Sequence, residues 1–252
     1  MIKKIFVIIS TVILVTTVMA QTRKAPSFED VISLKSVSNA VISPNGKHIV
    51  FVSQSVDWKE NRYNRELWLS KDKNIPFQIT NSLKTNSNSA KWSPNNKWIA
   101  FLSNRGDKTQ VHAIRLAGGE SFQVTNSQNN ISNFEWSPDG QKIAFIQSED
   151  KSKEEKKRKD KYGGFEVEDN EYSLNQIWVI DFNPDALNRM PLPDQIEDSV
   201  YMKTLDANLL IDGSKFSVNR FKWSPDGTKI AIEHQPNPSR NSFFKSDISI
   251  YD

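Results

Sequence analysis

The residues that could do chemistry in this chain are few and scattered. Its 252 residues include three histidines, His48, His112 and His234, and no cysteine. No two of the histidines share a local metal-ligand spacing, so each reads as a structural or surface residue, and thiolate sites and disulfides are excluded. Two acidic groups are candidates for holding a cation. Glu154-Glu155 sits among lysines that would neutralise it, and Glu166, Glu168, Asp169 and Glu171 follow the same basic run, which they balance. The sequence carries no Gly-x-Ser-x-Gly elbow, His-Glu-x-x-His pair, phosphate-binding loop or calcium loop. Gly118-Gly119 reads as a hairpin turn and Gly163-Gly164 as part of an irregular segment. The site reading is therefore no catalytic residue, no metal, no cofactor and no identifiable substrate contact.

The elements that would position any site are much clearer. One phrase occurs four times, as VISPNGKHIVFVS (41–53), KWSPNNKWIAFLS (91–103), EWSPDGQKIAFIQ (135–147) and KWSPDGTKIAIEH (222–234). Repetition at roughly forty-odd residues marks a β-propeller, with one copy per blade. The motif prolines Pro44, Pro94, Pro138 and Pro225 are 50, 44 and 87 residues apart, and the long interval reads as one blade with insertions. In Ser-Pro-Asp-Gly, proline presets φ, serine and aspartate bond nearby amides, and glycine accepts the left-handed conformation that closes the hairpin. The apolar run behind each turn, such as Ile99 to Leu102, suits a sheet covered on both faces. Trp92, Trp136 and Trp223 recur two residues before the proline, which makes them packing residues between blades.

Third strands are expected at Glu66 to Ser70, Gln110 to Leu116, Gln176 to Phe182 and Asp247 to Tyr251, and fourth strands at PFQITNS from Pro76 and SFQVTNS from Ser121. The fold class is all-β: a propeller of four-stranded antiparallel blades occupying residues 21–252, with a charged insertion at about 148–175.

Residues 1–20 read as a signal peptide: Lys3 and Lys4, an apolar run from Ile5 to Val18, and small residues before Gln21. The run is too short to favour a stable span, so after its removal no membrane partner is expected. The periplasm is the first choice of compartment, with release outside the cell open. Losing Lys3 and Lys4 takes the formal charge from +3 to +1, and the run from Lys151 to Lys161, with seven positive and three negative residues, leaves the remainder acidic. That run reads as a solvated, mobile loop rather than a phosphate-binding stripe, so nucleic acid is not an expected partner.

The repeat phrase, the opening FEDVISLKSVSNAVISPNGKHIVFV from Phe28, the basic insertion before Ile-Trp-Val-Ile-Asp and the ending FFKSDISIYD together resemble the N-terminal propeller of secreted prolyl oligopeptidase family serine peptidases. The dipeptidyl-peptidase and acylaminoacyl-peptidase branch is the most similar. The resemblance implies a propeller that gates an α/β-hydrolase domain whose serine, aspartate and histidine release short peptides from oligopeptide N-termini. None of those three residues is expected here, and the partners it implies are a peptide substrate and that hydrolase domain, with self-association open. Four to five blades at roughly 44 residues each, with a last unit of three strands, are expected to be an N-terminal fragment whose open blade faces are apolar. Two rival readings are a TolB-like propeller that binds a peptide or protein without catalysis, and a channel enzyme such as a polysaccharide lyase, which three scattered histidines make weak.

Overall fold

The computed structural model describes residues 25–72, 74–82, 84–163, 172–184 and 206–252. The expected signal peptide, Gly164, Glu166, Glu168, Asp169 and Glu171, and most of the stretch from Asn183 to Ser199, lie outside the described residues. Two units divide the chain, Met1–Leu34 and Lys35–Asp252. The described part of the first holds a short helix α1 (Phe28–Ile32), begun by a reciprocal capping box between Ser27 and Asp30.

The described residues of the second unit form four antiparallel sheets. Sheet 1 has strands β1 (Ser36–Ile42), β2 (His48–Asp57), β3 (Arg62–Lys71) and β4 (Phe77–Gln78), in that order. Sheet 2 repeats the order with β5 (Ser87–Trp92), β6 (Trp98–Ser103), β7 (Gln110–Arg115) and β8 (Phe122–Gln123). Sheet 3 has β9 (Ile131–Trp136), β10 (Lys142–Ser148), β11 (Asn175–Asp181) and β12 (Asn208–Ile211), and sheet 4 has β13 (Ser217–Trp223), β14 (Ile230–Gln235) and β15 (Asp247–Tyr251). Among the described residues, the interval between Pro138 and Pro225 holds the last three strands of sheet 3 and the first strand of sheet 4. The fourth strand of sheet 3, β12, had no sequence signature. Contacts pass from each sheet to the next, and the described series does not close on itself.

All four motif turns have the anticipated chemistry. Each serine hydroxyl donates to the Asn or Asp two residues on and accepts from the backbone N–H five residues on, at 2.9 Å in every copy (His48, Trp98, Lys142, Lys229). The fourth residue bonds back to the serine carbonyl with φ between 60° and 73°. At Gly140 there is a second reason for glycine, because a Cβ there would stand 3.3 Å from Pro94 Cδ of the preceding sheet.

Packing lies between sheets. In β6, Ile99 and Phe101 join the cluster shared with sheet 1, while Trp98, Ala100 and Leu102 join the cluster shared with sheet 3. In β10, Ile143 and Phe145 face sheet 2, and Ala144 and Ile146 face sheet 4. Period-two geometry turns a continuous apolar run into two buried faces, which is why alternation is missing from these strands. Phe182 fastens sheet 3 to sheet 2, its ring edge-on to Trp136 at 4.6 Å and to Trp98 at 5.4 Å.

The basic run corrects one expectation. Instead of a loop it forms helix α2 (Lys153–Tyr162) between β10 and β11, with no buried residue. Ser152 and Glu155 make a capping box, Glu154 and Glu155 sit in the first turn and Lys159 and Lys161 in the last, so the charge order complements the helix dipole. A bare count of lysines hid that order.

Candidate functional site

The first strands of successive sheets, β1, β5, β9 and β13, contact one another, so they form the side on which the sheets converge. Each carries a register irregularity ahead of its motif proline, three to six residues before it in β1 and β5 and five to seven in β9 and β13. Asn39 and Ser89 take φ of 50° and 53° there without being glycine. Bulges re-aim the side chains that follow, here the position three before the proline. That position holds Val41, Lys91, Glu135 and Lys222.

The last three make a row of alternating charge across three sheets. Lys91 Nζ lies 2.9 Å from Glu135 Oε1 and also donates to Asn133 Oδ1 at 3.1 Å and to the Phe134 carbonyl. Its ammonium stands 5.2 Å from the centre of the Phe134 ring. Lys222 closes on the same carboxylate oxygen from the opposite side. Burial pulls the Lys91 pKa below the ordinary lysine value, with the Glu135 hydrogen bond and charge opposing and the Lys222 charge assisting. The Lys222 side chain is 76% exposed against 27% for Lys91, so the row is half-buried at Lys91 and open to solvent at Lys222. With one cation in excess, it can hold a single anionic group at the Lys222 end.

The tryptophans next in sequence tie the same strands together. Trp92 Nε1 donates to the Val41 carbonyl at 3.0 Å, and Trp136 Nε1 to the Lys91 carbonyl at 3.2 Å. Each therefore reaches back one sheet to the residue before its counterpart. Trp223 breaks the series: its Nε1 is buried without a partner among the described residues.

Farther out, polar locks join fourth strands to third strands. Thr80 Oγ1 donates to Glu66 at 2.5 Å and accepts from Leu67 N at 2.9 Å, and Thr125 makes the matching pair with Gln110 at 2.8 Å and Val111 N at 3.0 Å. Glutamate and glutamine do the same structural work here.

The structure does not bring the three histidines together. His48 opens β2, 6.1 Å from Trp92. His112 is buried in β7, stacked on Phe101 at 5.8 Å, and burial with Arg105 nearby lowers its pKa to about 4. His234 bonds Ser249 Oγ at 2.9 Å and packs 4.6 Å from Phe216. Among the described residues no group of three or more His, Asp or Glu is placed to hold a metal ion. Motif serines are committed to their turns, and Gly118 and Gly119 take φ of 107° and 105° in the segment joining β7 to β8. The charge row was missed in sequence because each of its members sits in a different repeat. Its signal is the change of sign at one motif position.

Comparison with known proteins agrees with this architecture. The profile described as TolB beta propeller domain matches residues 9–167. Dipeptidyl-peptidase 5 of Porphyromonas gingivalis is 27% identical over 231 residues, which is 87% of this chain and 32% of that protein. The uncharacterized peptidase YuxL of Bacillus subtilis is 28% identical over 154 residues, 58% of this chain and 23% of that protein. The chain therefore spans about a quarter to a third of these curated relatives. Among solved structures, the acylaminoacyl peptidase of Pyrococcus horikoshii superposes with a TM-score of 0.56 at 15% identity, covering 88% of this chain and 32% of that one. The β-propeller domain of the Trilobed protease from Pyrococcus furiosus, described as having an open velcro topology, gives 0.50 at 16% identity, covering 86% of this chain and 54% of that one.

Proposed function

The chain belongs to the TolB beta propeller domain family, and on that premise we propose that it is the N-terminal propeller portion of an exported serine peptidase that removes short peptides from oligopeptide N-termini. The observation that carries the reading is the match to dipeptidyl-peptidase 5 along 87% of this chain. In this reading the propeller contributes selection rather than chemistry. The first strands would bound a passage that admits short extended peptides to the catalytic domain and keeps folded proteins out, a role supported by their contacts with one another. A hydrolase domain elsewhere in the protein supplies the serine that attacks the scissile carbonyl, the histidine that moves its proton and the amides that stabilise the oxyanion. Export to the periplasm accords with residues 1–20, and among the described residues no helix is long and apolar enough to cross a membrane.

The test is labelling of native extract with a fluorophosphonate probe, followed by capture with an antibody to residues 206–252. A labelled species that releases dipeptides from an aminomethylcoumarin substrate, and loses that activity on labelling, is the expected result. Capture of this segment with neither label nor activity would reverse the reading in favour of a peptide- or protein-binding module.

A further inference from the structure

The connections that leave the second strands of sheets 3 and 4 lie at one end of those sheets, opposite the motif turns. In sheet 3 the connection carries helix α2, and in sheet 4 it carries a short 3-10 helix, Arg240–Lys245. Their bases are joined. Asn175, where the first connection ends, donates from its backbone N–H to Ser217 Oγ at 3.2 Å and from Nδ2 to the Val218 carbonyl at 3.1 Å. Ser217 in turn pairs with Gln235, where the second connection begins.

Helix α2 is one-sided in charge. Residues three, four and eight apart share a helix face, so Lys153, Lys156, Lys157 and Lys161 stand together, with Asp160 the one carboxylate among them. All five are exposed, whereas Glu155 and Arg158 on the other side are half-buried. Among the described residues none of the four lysines makes an ion pair, and Lys161 stands 4.9 Å from the centre of the Tyr162 ring. The face is a row of ammonium groups about 15 Å long. The same end exposes aromatic rings: Tyr162 is 63% exposed, Phe243 63% and Phe244 92%, the two phenylalanines edge to face at 5.8 Å. Arg240 and Lys245 bound that pair. Clustered lysines attract anionic headgroups, and aromatic rings beside them settle into the headgroup layer.

We propose that helix α2 and the Arg240–Lys245 segment together dock on an anionic lipid surface, lying on it rather than spanning it. The lysine row meets the lipid phosphates, and Tyr162 and Phe244 enter the headgroup layer. A small anion would leave the rings unused, and so would the backbone of a nucleic acid duplex. An exposed, convex helix also has no groove in which to enclose a small ligand. The surface needs no catalytic domain, so it stands whether or not the peptidase reading does.

Co-sedimentation of the full chain with phosphatidylcholine vesicles, and separately with vesicles containing about one-third phosphatidylglycerol, tests the docking. The chain is expected to bind the anionic vesicles at least about tenfold more tightly. That preference should vanish between about 0.1 M and about 1 M salt, as the screening length falls from about 10 Å to about 3 Å. The variant K153Q/K156Q/K157Q/K161Q, altered only at exposed positions, should abolish the preference while keeping its circular dichroism melt, and K153Q/K157Q serves if it does not fold. Phe244→Ser should weaken binding to anionic vesicles severalfold and leave the salt dependence in place. Binding through the apolar run from Ile5 to Val18 would be untouched by every one of these variants. Equal affinity for the two vesicles, indifference to the lysine variants or to Phe244→Ser, or tighter binding to a DNA duplex than to anionic vesicles at equal phosphate, would each overturn the proposal.

Discussion

Sheets 2 and 4 are built on the same phrase, yet their second strands are buried differently. Every residue of β6 is buried, whereas half of β14, Ala231, Glu233 and His234, is only half-buried. Sheet 2 has a neighbour on both faces. Sheet 4 packs on sheet 3 with Ile230 and Ile232, while Ile248 and Ile250 of its last strand are 72% and 69% exposed. The joints differ as well: Trp92 and Trp136 each complete a hydrogen bond to the sheet before, and Trp223 does not. One repeated sequence therefore yields a tight middle and a looser end. What a blade needs from its own sequence is a pair of complementary faces, and how far that stabilises it depends on what stands beside it.

The contrast can be broken most forcefully at its core. Phe145 is 1% exposed in the cluster that joins sheets 2 and 3. Phe145→Ala should cost about 3–5 kcal/mol in chemical denaturation, whereas Ile250→Ser should cost less than about 0.5 kcal/mol. Equal losses would show that the outer face of sheet 4 is as firmly packed as the joint between sheets 2 and 3.

Next in size is acid sensitivity. His112 has an ordinary pKa of 6.5 when unfolded and about 4 in place, so between those values the unfolded chain binds the extra proton. Stability should be complete above pH 6.5, fall as pH drops toward 4 and level off below, by on the order of 3 kcal/mol in all. His112→Phe should flatten the profile in that window, and a slope unchanged in the variant would rule the histidine out as its source.

The smallest effect is the sharpest test of the joints. Trp136→Phe should lose about 1 kcal/mol through its hydrogen bond to the Lys91 carbonyl, beyond any loss from ring size. Trp223→Phe removes an N–H that has no partner and should cost less. A greater loss at Trp223 would mean that the third joint is made like the other two.

Much of this fold was legible because the motif is local. Ser-Pro-Asp-Gly specifies its own turn, and the strands behind it announce two buried faces by lacking alternation. β12 was not legible, since Asn208–Ile211 lies far from β11 in sequence and its four residues carry no turn signal. Helix α2 was hidden by composition, although Ser152 and Glu155 at capping-box spacing could have revealed it. Of the candidate site, the tryptophans were identified as packing residues, and their reach to the preceding sheet follows from the repeat. The Lys91, Glu135 and Lys222 row was not found, because alternation between repeats is visible only once the repeats stand side by side.

The proposed peptidase role is tested most directly by the intact mass and peptide map of the native protein captured through this segment. A species of roughly 70–80 kDa, the size of a propeller joined to a hydrolase domain of about 250 residues, with peptides from both parts, is the expected result. A species no larger than the chain itself, 28.8 kDa, would contradict it.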